Sequence, residues 1–104
     1  MEYPLPGPTR RAARWDGSCL YKARAGPWSP SDVRALRALV ERERPGAPFD
    51  VVLGGSKRPD DWEAERRRIG ALAEAGATWW IEYVEPADLA TMLGAVARGP
   101  LRAD

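Results

Sequence analysis

The chain contains no histidine and a single cysteine, Cys19. Without a second thiol no intramolecular disulfide can form. Without histidine there is no Cys/His zinc site, and no Ser-His or Cys-His catalytic pair. Lysine is nearly absent, Lys22 and Lys57 being the two examples, so almost all the positive charge is arginine. Charge of one sign does not dominate either: sixteen basic residues stand against fifteen acidic ones, a net charge of +1. That balance provides no electrostatic footprint for nucleic acid or for an anionic membrane. No run approaches the roughly 18 apolar residues of a membrane span, and the N-terminus has neither a basic n-region nor an apolar h-region. These absences lead to the expectation of a soluble, cytoplasmic protein without metal, nucleic-acid or membrane partners.

What is present suits one globular domain. The 104 residues are 44% hydrophobic and 30% charged, enough for a single core without staples. Residues 1–8 hold three prolines and a glycine and read as an irregular lead-in to a domain over 9–104. Thr9 is placed to cap a short helix to Arg14, and Asp16-Gly17 ends it. Ser18 to Tyr21 suits a short strand in which Cys19 is an inert core residue.

The next helix is well signposted. Ser29 is its N-cap, Pro30 its first residue, and Asp32 completes a capping box. Val33, Leu36, Leu39 and Val40 share one face, and Pro45-Gly46 stops the helix. Phe49 to Leu53 is apolar and β-branched, as a buried parallel strand requires, and ends at Gly54-Gly55-Ser56. A second long helix runs from Pro59-Asp60-Asp61 to Ala75, with Trp62, Ile69, Leu72 and Ala73 as its expected buried stripe and Gly76 as its cap. Thr78 to Val84 is the strongest strand. Pro86 opens a last helix whose Leu89, Met92, Leu93 and Val96 recur at helical spacing, closed by Gly99-Pro100. Strands alternating with helices of about a dozen residues are the signature of right-handed parallel crossovers. The fold class is α/β, with three parallel strands adjacent in chain order and helices on one side.

Three segments in order carry a resemblance: Arg10 to Gly17 (RRAARWDG), Phe49 to Gly55 (FDVVLGG) and Ala75 to Glu82 (AGATWWIE). Together they resemble the C-terminal part of luciferase-like, flavin- or F420-dependent oxidoreductases, over about Pro8 to Arg102. The resemblance implies about the last three strand–helix units of a (β/α)8 TIM barrel. It implies FMN or F420 as cofactor and a monooxygenase-type activity, exercised by a truncated homologue or one part of a split barrel. The competing class is a non-catalytic α/β module. Either way, three parallel strands leave unpaired edges and an open barrel wall, which a second copy or a partner carrying the other strands would cover.

Candidate site residues follow from the strand ends, where parallel α/β proteins bind ligands. Tyr21, Lys22, Gly54 to Lys57, Glu82 and Tyr83 fall there. Gly54, Gly55 and Ser56 either bring backbone N–H groups to a phosphate or form a turn that needs glycine torsions. Thr9 with Arg10 and Arg11 is either a phosphate site at a helix N-terminus or a plain cap with solvated arginines. Glu82 shares a face of the last strand with Trp80, while Trp79, Ile81 and Tyr83 share the other. It either lines a pocket at the strand ends or pairs with an arginine from a neighbouring helix. Trp79 reads as core. Arg66-Arg67-Arg68 reads as a solvated helical face paired with Glu63 and Glu65, since successive helical residues point about 100° apart. No residue is identified as catalytic.

Overall fold

The computed structural model describes residues 6–19 and 27–102, apart from the side chains of 55–57. The order is α1 (Pro6–Ala12), β1 (Gly17–Ser18), α2 (Pro30–Glu43), β2 (Asp50–Lys57), α3 (Trp62–Ala75), β3 (Trp79–Tyr83) and α4 (Leu89–Arg98). The strands form one parallel sheet in the order β1-β2-β3. The α/β alternation and the order of strands are those expected. The part of the first strand that includes Leu20 and Tyr21, and Lys22 beyond it, lies outside the described residues.

Local sequence accounts for the two long helices. The Ser29 hydroxyl accepts the Asp32 N–H while the Asp32 carboxylate accepts the Ser29 N–H, a reciprocal cap with Pro30 in the first turn. Asp61 caps α3 by accepting the Ala64 N–H, and Gly76 at φ 125° ends it. Val33, Leu36 and Val40 of α2 meet Leu72 and Ala75 of α3 over Phe49, Val51 and Leu53 of β2. Ile69 is also buried. The Arg37 guanidinium ties these layers together, donating to the Gly76 carbonyl and, at 2.5 Å, to the Phe49 carbonyl.

Several boundaries differ from expectation. Helix α1 starts at Pro6, because prolines in a first turn cost no hydrogen bond there. Pro6 to Pro8 are therefore helical, not lead-in, and Thr9 lies inside the helix, fully buried, where it cannot be the cap. Strand β2 continues through Gly54 to Lys57, paired with β3 across a register irregularity between Gly54 and Ser56. Gly54 has φ 122°, and a Cβ there would run into the backbone of Ile81, whose nitrogen would be 2.7 Å away. The glycine serves close approach of two strands inside the sheet and not a turn beyond it.

The sheet is covered on one face. Val51 and Leu53 point at α2 and α3, as does Trp80 beside Leu53, so Val52, Trp79, Ile81 and Tyr83 point the other way. On that second face Trp79 is 62% exposed, Ile81 49% and Tyr83 48%. Trp79 is thus a surface residue, not core. The α4 stripe is uncovered too: Leu89 is 73% exposed, Leu93 58% and Val96 66%, against the expectation of burial. Helix α4 turns Thr91, Ala95 and Arg98 inward, and at 100° per residue Leu89, Leu93 and Val96 must point the opposite way. Trp62 and Ala73 are also exposed, and the stripe of α3 is instead Glu65, Ile69, Leu72 and Ala75. Cys19 is exposed just past β1 and is no core residue. The radius of gyration is 15.2 Å, against about 13 Å for a compact chain of some 100 residues.

Candidate functional site

A cleft of about 390 Å³ opens at the C-terminal ends of β2 and β3, between the start of α3 and the inner side of α4. Arg58, Trp62, Tyr83, Met92, Ala95 and Arg98 contribute to its walls. Arg58 directly follows β2, and its guanidinium lies 4.6 Å from the centroid of the Trp62 ring; that of Arg98, from the last turn of α4, lies 5.4 Å from the same ring. Such cation–π contacts keep the indole in place although 40% of it is exposed.

Behind this wall sits Glu82. Its side chain is 13% exposed and turned toward the helices, next to Glu65, Ile69, Trp80 and Leu101. One carboxylate oxygen accepts from Arg58 at 2.8 Å and from the Leu101 N–H at 3.1 Å; the other is 3.5 Å from Arg98. Arg58, with a side chain only 4% exposed, also donates to the Gly99 carbonyl at 2.8 Å, and its Nε has no hydrogen-bond partner among the described residues. Burial pushes the Glu82 carboxyl up. The Arg58 and Leu101 hydrogen bonds and the charges of Arg58 and Arg98 outweigh that, holding it below its ordinary value of 4.5. Of the two orientations open to Glu82, the structure has the ion-paired one. The group works as a clasp that fastens the C-terminal end of α4 and the following segment to β3.

The other expected site residues are dispersed. Arg10 pairs with Glu43 at 3.3 Å, and α1 packs against the C-terminal part of α2, which ends shortly before β2 begins. Thr9 and Arg10 therefore belong to the N-terminal end of the sheet, opposite the cleft. A helix of seven residues with its threonine buried inside it offers no anion site. The backbone of Gly54, Gly55 and Ser56 runs within a paired strand and does not curl into a cradle. Ser56 is the register partner of Glu82, so Gly54 to Ser56 lie beside Glu82 on adjacent strands, while Thr9 and Arg10 lie at the opposite end; the six positions do not form one site for FMN or F420. Among the described residues no cluster of acidic or cysteine side chains could hold a metal ion, and no helix is long and apolar enough to cross a membrane. In the arginine run, Arg66 pairs with Glu63 and Arg68 with Glu65, the latter at 2.7 Å with Glu65 buried and Arg68 over the Trp80 ring.

Arg58 was not foreseen as a site residue. Its position after a Gly-Gly-Ser-Lys run gives no sign that the side chain folds back under α4, since that depends on β2 continuing four residues past Leu53. Comparison of the chain with protein-family models, with curated proteins and with solved structures returns no match.

Proposed function

We propose that this chain is a wall segment of a (β/α)8 barrel of the luciferase-like oxidoreductase class, one that holds no complete cofactor site of its own and works by association. The observation that carries the reading is the one-sided sheet. Helices α2 and α3 cover one face, as on the outside of a barrel, while Trp79, Ile81 and Tyr83 stand exposed on the face that would be a barrel's inside. The resemblance of the AGATWWIE segment to luciferase-like enzymes supports the same descent. Enzymatic use of FMN or F420 would then require the remaining wall from another polypeptide, with the strand-end cleft as its contribution.

A flavin-type cofactor is held by burying most of its surface in a concavity. A single open wall cannot do that, and one anchoring contact is offset by the lost freedom of the ligand. Fluorescence titration of the purified chain with FMN and with F420 tests this. No saturation is expected up to about 100 μM. A one-site dissociation constant near 1 μM, about −8 kcal/mol of binding free energy, would show a complete site and overturn the reading.

A further inference from the structure

We propose that the partner is a second copy of this chain, in a reciprocal dimer where α4 of each copy lies across the uncovered sheet face of the other. The inference rests on the association part of the reading above, with a helix of the second copy, and not further barrel strands, covering the face.

Each copy carries both halves of a contact that α/β proteins ordinarily make within one molecule. A parallel sheet is stable with both faces covered, and here no helix of the described residues covers one of them. Helix α4, Leu-Ala-Thr-Met-Leu-Gly-Ala-Val-Ala-Arg, has no charged residue before Arg98 and no buried residue. A helix so apolar is normally a buried one. Its leucine and valine stripe points away from the cleft, so the helix cannot use that stripe on its own domain while the clasp of Arg58, Glu82 and Arg98 is closed. The stripe of one copy and the Val52, Trp79 and Ile81 patch of another carry no charge, and Asp50, exposed at the start of β2, lies at the edge of that face, where its carboxylate keeps its water.

The area is of the right size. Trp79, Ile81, Tyr83, Leu89, Leu93 and Val96 together expose on the order of 600–700 Å² per copy, the two aromatic residues among them offering up to about 150–250 Å² each when fully buried. A standard interface buries roughly 800 Å² per partner, and rim atoms supply the difference. Twofold symmetry makes the contact occur twice and closes the assembly at two copies.

Sedimentation velocity and light scattering from about 1 to about 100 μM test the assembly, a range in which interfaces of standard size associate. The wild-type chain is expected at twice its 11.5 kDa. Leu93→Glu on α4 and Trp79→Lys on the sheet should each weaken association at least about 30-fold, as loss of a central interface residue does, with far-UV circular dichroism unchanged. Val96→Lys and Ile81→Lys serve if either first variant fails to fold. The decisive arm mixes the two variants. Each alone has both helix-on-sheet contacts spoiled, whereas a mixed pair keeps one of the two intact. Recovery of a heterodimer of intermediate affinity supports the reciprocal arrangement. A monomeric wild type, an assembly larger than two, or dissociation by the helix variant but not by the sheet variant would each overturn it. Cofactor binding by the chain would instead overturn the association reading, so the two failures are separable.

Discussion

Replacing Glu82 by alanine probes the clasp on which the placement of α4 depends. The substitution removes the acceptor of Arg58, of the Leu101 N–H and of the Arg98 charge in one step. Arg58 would remain almost wholly buried, keeping the Gly99 carbonyl as an acceptor, with its Nε unpaired among the described residues. Breaking a buried ion pair from one side costs about 3–5 kcal/mol, most of it the stranded charge. A domain of this size has about 5–15 kcal/mol in total, so the loss is a large share. Urea denaturation followed by circular dichroism should show it as a lower midpoint at unchanged slope. Replacing the pair together, Arg58→Met with Glu82→Leu, should restore much of the loss, because no unpaired charge is then left behind. The sign with pH is also set. The folded carboxyl titrates below 4.5, so its contribution is complete above that value and fades as the pH falls through the lower folded pKa. A loss below about 1 kcal/mol for Glu82→Ala, or a double variant no better than the single, would refute the argument.

The other expectations concern packing and the backbone. Arg37→Met removes hydrogen bonds to the Gly76 and Phe49 carbonyls and should cost about 2–4 kcal/mol, read by thermal denaturation as a large fall in Tm. Gly54→Ala forces a Cβ onto the Ile81 backbone at positive φ; a loss of at least about 1–3 kcal/mol is expected, and an unchanged Tm would mean that β2 and β3 do not approach as described. Leu36→Ala, at a fully buried site, should cost about 2–5 kcal/mol, while Leu93→Ala should leave the unfolding of the monomeric state within about 0.5 kcal/mol. Equal losses for the two leucines would show the α4 stripe to be buried within one chain.

Much of the architecture was legible because its causes are local. The Ser29-Pro30-Asp32 cap, Gly76 and the apolar spacing of Val33, Leu36 and Val40 act within a few residues of themselves, and each appears in the structure as the spacing implies. The alternation along Trp79 to Tyr83 likewise follows from the two-residue period of a strand, so its two faces could be separated before either had a neighbour. The parallel order of strands followed from short crossovers of one hand.

What tertiary structure alone decided is which surface meets which. An apolar stripe states that a face is to be buried, not against what. Leu89, Leu93 and Val96 recur at helical spacing as the buried stripe of α2 does, yet they are exposed, because among the described residues no layer lies opposite them. Whether Glu82 faced a ligand or a cation depended on Arg58, 24 residues away, and therefore on how far β2 ran past Leu53. Gly54 and Gly55 read as a strand end because glycine disfavours strands on its own; the approach of Ile81 converts that weakness into a requirement. Thr9 was misplaced for the converse reason, since prolines that look irregular are well tolerated in a helix's first turn. Local torsional preferences and periodicities are carried by neighbouring residues. Partnership across the fold is set by packing and desolvation between segments far apart in the chain, and becomes definite once they meet.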